Sequence, residues 1–137
     1  MTRVFVDTSA LYAVLDADDR RHADAVAGWE RLLDGLGAGG TEPVPHGSVA
    51  VESTALVQHR LGMAAVRALH YDLHALLRIR RVDEQLHGRA VAALLAAGRR
   101  DVSLVDWTSF EMMRGDAIEV AFSFDDDFAQ QGFAAWS

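Results

Sequence analysis

A chain of 137 residues, half of them hydrophobic, can enclose one core covered on more than one side but is short for two ordinary domains, so a single domain over 1–137 is expected. The absence of cysteine excludes a disulfide framework and a thiolate metal site, and no stretch approaches the ~20 apolar residues of a membrane span, so a cytoplasmic protein with no membrane partner is expected. A formal net charge of −7 stands against a nucleic-acid partner held by a basic surface, unless metal ions sit between the acids and the polyanion.

Val4-Phe5-Val6 is a continuous apolar run of the kind a buried parallel strand carries, and Ala10, Leu11, Val14 and Leu15 follow at helical spacing. Val26, Trp29, Leu33 and Leu36 predict a second helix, ended by the glycine-rich "GLGAGG", with Pro43 and Pro45 extending a long loop. Ser48 is placed to cap a helix over "VAVESTALVQHRLG". Val66, Leu69, Leu73 and Leu76 mark another helix, before a weak strand signal in "LRIRRV". Asp83 is placed to cap a helix carrying Leu86, Ala90, Val91 and Leu94 that Gly98 stops. Asp106 is placed to begin a short helix ending at Gly115, and Ile118, Val120, Phe122 and Phe124 alternate as one face of a strand. Strands alternating with helices predict an α/β fold with a mostly parallel sheet between helical layers.

In an open α/β sheet, ligands bind outside the carboxyl ends of the strands. Asp7 follows the first predicted strand, Asp125 follows the last, and Asp106 stands at a helix start. Glu52 borders the apolar helix face set by Val49 and Leu56. Taken singly, Asp7 and Asp106 read as helix caps and Asp125 as a turn former with Asp126 and Asp127. Together these acids suit a hard cation such as Mg²⁺, which takes a few carboxylates and several waters. Period-two alternation favours Asp125 as the fourth acid and turns Asp126 away, while Asp127 competes if the chain turns after Asp125.

Other motifs fail on particular residues. Leu11 stands where an adhesion-type Asp-x-Ser-x-Ser site needs its second serine, and Ser9 replaces the general acid of a dehalogenase-type phosphatase and the glycine of an aspartic protease. His70 and His74 lack the intervening glutamate of a zinc protease and read as exposed polar residues. All 13 basic residues are arginine, which codon usage explains as readily as selection, and "RIRR" at 78–81 reads as a solvated strand edge before it reads as an RNA contact.

The segments "VFVDTSAL", "VAVESTAL", "LVDWTSFEMMRG" and "AFSFDDDFAQQGF", in this order and over nearly the whole length, resemble the PIN-domain family, and within it the VapC-type toxin ribonucleases of bacterial toxin-antitoxin pairs. The resemblance implies a three-layer α/β/α fold and a Mg²⁺-dependent endoribonuclease, with Mn²⁺ as a substitute. It carries over Asp7, Glu52, Asp106 and Asp125 as metal-site and catalytic acids, with Glu52 either a ligand or the group orienting the attacking water. Ser9 and Thr108 match the family's hydroxyl positions near the site, and Asp127 is a further supporting candidate. Trp107 is bulkier than is common there. An RNA substrate, a homodimer and a small cognate antitoxin are also implied. The alternative is a PIN module that binds RNA or a protein partner without cutting.

Overall fold

A computed structural model describes all of residues 1–137. Strand β1 (Thr2–Val6) is followed by helices α1 (Thr8–Leu15) and α2 (His22–Gly37), then by strand β2 (Thr41–Val44) and helices α3 (Gly47–Leu61) and α4 (Met63–Ala68). A π-helical turn at Leu69–Leu73 and a 3₁₀ turn at His74–Leu76 lead on to α5 (Glu84–Ala97), α6 (Leu104–Gly115), β3 (Val120–Phe122), α7 (Asp127–Gln130) and β4 (Ala134–Ala135).

The sheet order is β2-β1-β3-β4 and every pairing is parallel, with Val4 opposite both Pro43 and Val120. The central position of β1 explains its unbroken apolar run: Val4, Phe5 and Val6 are fully buried because both sheet faces are covered. On one face Phe122 packs against Gly28 of α2, where an added Cβ would come within 2.8 Å of the Phe122 ring. On the other, Phe5 stacks on Phe128 at 5.7 Å, and Phe128 meets Phe110 of α6 edge-on at 4.9 Å. The expected three layers are therefore present, joined by a core cluster of 25 buried residues.

Several local expectations are corrected. The segment after the glycines is strand β2, not loop. Its prolines are tolerated because β2 turns their backbone polar groups away from β1: the carbonyls of Pro43 and Pro45 accept from the N–H groups of Arg78 and Arg80. "LRIRRV" is accordingly no strand; it contributes a single bridge, His46 to Arg80, that closes the outer edge of β2.

Helix α3 is capped by the His46 ring, which accepts from the N–H groups of Ser48 and Val49, and not by Ser48. Helix α6 is capped by Ser103, with Asp106 as the reciprocal member of a capping box. The long helix expected through Leu76 breaks into α4 and the two turns, and His74 is buried there against Ser53, contrary to its expected exposure. Asp83 does cap α5, and Gly98 does stop it, at a left-handed φ of 63° that favours glycine. The last strand is shorter than its alternating pattern predicts and ends at Phe122.

Candidate active site

The chain leaves β1 for β2 on one side and places β3 on the other, so strand order reverses between β1 and β3, where α/β folds open a crevice. Asp7 follows β1 directly and is bonded to β3 through its own N–H, given to the Phe122 carbonyl at 3.0 Å. The residue is 4 % exposed. Oδ2 accepts from the Ser9 hydroxyl at 2.7 Å and the Ser123 hydroxyl at 3.0 Å, and caps α1 through the Ser9 N–H at 3.4 Å. Capping and membership of an acid site are thus compatible roles, since one oxygen serves the helix and Oδ1 is left free of protein hydrogen bonds. Burial pushes the Asp7 pKa up to about 6, against the two serine hydroxyls that favour the anion, and the charges of Asp106 and Glu52 push the same way as burial.

Asp106 is brought to the site by α6. Its Oδ2 accepts from the Ser103 N–H at 3.1 Å, which fixes the carboxylate at the first turn. Carboxylate oxygens of Asp106, Asp125 and Asp127 lie within 4.8 Å of one another. The turn after β3 makes this possible: the Ser123 hydroxyl accepts from the Asp125 N–H at 3.0 Å, and Asp125 Oδ1 from the Asp127 N–H at 2.9 Å. The strand that the alternation argument relied on stops at Phe122, and the turn brings Asp127 as well as the favoured Asp125 next to Asp106. Asp126 is exposed, as expected. Arg99 approaches Asp127 at 3.8 Å while gripping Asp101 at 2.9 Å.

Asp7 and Glu52 stand outside that trio but within electrostatic reach of Asp106. Burial raises the pKa of Glu52, and the Asp106 charge adds to it. Burial likewise leads the upward shifts of Asp106 and Asp127, with the Asp125 charge contributing to both. The Thr8 hydroxyl is near enough to favour the Glu52 anion but outside good hydrogen-bond geometry, so Thr8 Oγ1 is a buried oxygen without a partner. Like-charged, part-buried acids with a spare hydroxyl oxygen beside them form an oxygen-rich set that fits a hard divalent cation.

The remaining candidates separate. Ser9 is a clamp on Asp7, and Phe124 locks it by donating its N–H to Ser9 Oγ at 3.0 Å. Thr108 does not join the carboxylates through any hydrogen bond: positions two apart do not share a helix face, and its hydroxyl donates to the Leu104 carbonyl at 2.7 Å. Trp107 is buried and packs edge-on against Phe110 at 5.4 Å, with its indole N–H unpartnered. Two contributors were missed in the sequence. Ser123 was detectable from its spacing to Asp125, the local turn a serine makes with a backbone N–H two residues on. His46 has no such signal. Its Nε2 bonds Ser109 of α6 at 2.9 Å while its Nδ1 caps α3, so one buried ring joins the helix of Glu52 to the helix of Asp106. Burial pushes its pKa down to about 4 and keeps it neutral, as the accepting Nδ1 requires.

With the PIN domain matching residues 4–134, the chain belongs to the PIN-domain family. It is 35% identical, over 95% of each chain, to the 23S rRNA-specific endonuclease VapC20 of Mycobacterium tuberculosis. The crystal structure of that VapC20, described as a sarcin-ricin loop cleaving toxin, superposes with a TM-score of 0.82 over 96% of both chains. FitAcB from Neisseria gonorrhoeae shares the fold at a TM-score of 0.67, with 14% identity, over 98% of this chain and 96% of its own.

Proposed function

We propose that this chain is a divalent-metal-dependent endoribonuclease, using Mg²⁺ with Mn²⁺ as a substitute, and the toxin of a VapBC-type pair. The observation that carries the reading is the convergence of Asp106, Asp125 and Asp127 within 4.8 Å, with buried Asp7 and half-buried Glu52 within electrostatic reach of Asp106. Acids crowded so closely raise one another's pKa at a cost to stability, which a binding-only module has no reason to bear.

Asp106, Asp125 and Asp127 would hold the cation, with Asp7 beside them as a further ligand. When bound, the cation screens the carboxylates from the phosphodiester, makes a water more acidic and stabilises charge on the scissile phosphate. Glu52, its basicity raised by burial, orients the attacking water and accepts its proton. Ser9 and Ser123 keep the Asp7 carboxylate from turning, and His46 keeps α3 and α6 at fixed spacing.

The domain acts as one unit over 1–137, in the cytoplasm, as a homodimer held silent by a small antitoxin whose basic segment competes for the acids. No helix is long and apolar enough to cross a membrane. Because the similar VapC20 is named for 23S rRNA, that RNA is the first substrate to test. Purified protein incubated with 23S rRNA and with unrelated structured RNA, in Mg²⁺, Mn²⁺ or EDTA, is expected to cut in either metal and not in EDTA. A folded protein inert in both metals on every RNA overturns the reading.

A further inference from the structure

Beside the acids lies a second cleft, about 470 Å³, that shares Ser9 and Phe124 with the Asp7 clamp. Three arginines, Arg20, Arg21 and Arg60, frame it. All three are exposed, and none lies within 4.0 Å of a carboxylate, unlike the paired Arg78, Arg80, Arg99 and Arg114. Asp19 also lines the cleft and accepts from the Arg21 backbone N–H at 2.8 Å, and Asp16 accepts from the Tyr12 hydroxyl at 2.7 Å, which with the Arg60 charge holds its carboxyl below the usual range. Those same contacts, with the His22 ring on the Ala13 carbonyl at 2.7 Å, pin the loop that carries Arg20 and Arg21. Arg21 lies over the Phe124 ring at 5.6 Å and Arg60 over the Tyr12 ring at 5.4 Å. An arginine stacked this way is held in place while its N–H edge stays open for bidentate contact with an anion.

In a chain of net charge −7, a cleft that sets three arginines against one lining carboxylate, Asp19, and abuts the acids answers a specific difficulty. A polyanion must pass a carboxylate cluster, and a cation there compensates only the phosphate it touches. We propose that Arg20, Arg21 and Arg60 bind the phosphodiester backbone of single-stranded RNA immediately flanking the bond that is cut, a reading that rests on the nuclease assignment above. Phosphate oxygens take the guanidinium edges, and the strand leaves the acid site along Ser9 and Phe124.

The test compares wild type with the triple variant Arg20→Ala/Arg21→Ala/Arg60→Ala, with the triple Arg→Lys variant, and with Arg78→Ala as a control at the far end of the sheet. Cleavage of an RNA oligonucleotide in Mn²⁺ gives KM and kcat, and fluorescence anisotropy of the same RNA in Ca²⁺ at several salt concentrations gives the salt slope. The triple alanine variant is expected to raise KM about tenfold or more with kcat little changed, and to flatten the plot of log Kd against log salt by about 2, as loss of three single-strand phosphate contacts requires. The lysine variant keeps most of the slope, and Arg78→Ala matches wild type. Wild-type KM and slope in a folded triple alanine variant overturn the proposal while leaving the nuclease reading intact, as does a defect confined to binding a protein partner. If wild type binds RNA with that arginine-dependent slope and cuts none, the nuclease reading fails and the binding cleft stands.

Discussion

The two ends of the sheet carry similar residues in opposite electrostatic states. At the amino end, a cleft of about 650 Å³ is lined by Arg3, Arg78, Arg80 and Arg81, yet Asp116 takes Arg80 at 2.5 Å and the Arg3 guanidinium at its carbonyl, and Glu42 takes Arg78 at 3.4 Å. At the carboxyl end, acids are packed against acids, and of the neighbouring arginines Arg99 pairs with Asp101 and approaches Asp127 while Arg20, Arg21 and Arg60 have no carboxylate within 4.0 Å. Cavity size and arginine count both favour the amino end, but there Arg78 and Arg80 are paired with carboxylates and only Arg3 and Arg81 are not, whereas none of the three arginines of the other cleft is paired. Charges that satisfy one another hold the fold, while charges kept in conflict are available for an incoming ion or phosphate. Residues 78–81, expected as a solvated strand edge, are no strand, yet Arg78 and Arg80 are paired and their backbone closes the edge of β2.

The largest effect that would sharpen the contrast is expected from Asp7→Asn. Cleavage should fall about a thousandfold or more, because an amide ligates a hard cation poorly. In EDTA, however, the variant should be the more stable protein. Asp7 binds its proton more tightly folded than unfolded, so its favourable contribution is complete below 3.8 and disappears as pH rises through about 6. At pH 7.5 the buried anion costs on the order of 3 kcal/mol, and melting curves should show the variant several degrees higher. A lower melting temperature for Asp7→Asn across pH 5–8 would break the contrast.

His46 has the opposite sign. Its folded pKa of about 4 lies below the ordinary 6.5, so stability is full above 6.5 and is lost as pH falls towards 4, by about 3 kcal/mol in all. Denaturant unfolding of His46→Asn against wild type over that range should show a difference that shrinks as pH falls.

Within the acids, Asp125→Asn should cost about a hundredfold in cleavage and Asp127→Asn about tenfold, since Arg99 already offsets part of the Asp127 charge, while exposed Asp126→Asn costs nothing measurable. Equal losses at Asp125 and Asp127, measured on folded proteins, would make the trio symmetric. The smallest effect belongs to the amino end, where Asp116→Asn should cost about 0.5–1 kcal/mol by denaturant unfolding, the pair being partly exposed, and leave cleavage at wild-type rate.

Residue types and local spacing carried the α/β alternation and the buried β1, because a central parallel strand must be apolar on both faces. They also carried Asp7, whose place after β1 needs only the strand end. Strand β2 was hidden by its prolines, which are permitted only because their backbone groups face outward, a fact of pairing and not of composition. The caps were misassigned for a similar reason: Ser48 and Asp106 have the right chemistry, but His46 and Ser103 have the right position. That Asp127 returns to Asp125 and Asp106 depends on a Ser123 hydroxyl reaching a backbone N–H, and the convergence of all the acids depends on non-local parallel pairings that no window of sequence contains.

The Ser123 hydroxyl meets Asp7 across 116 positions of chain, and that separation has a meaning in time. A chain emerges from the ribosome amino end first. Asp7 is therefore among the earliest residues made, with Ser9 of its clamp, while Ser123, two of its companion acids and the strand β3 beside it are among the last. Until they arrive, β1 has β2 on one side and nothing on the other, and the carboxylates that crowd the finished site are still apart. The acid cluster cannot close on an unfinished chain, and a product of interrupted synthesis lacking its final 20 or so residues keeps Asp7, Glu52 and Asp106 but neither Asp125 nor Asp127.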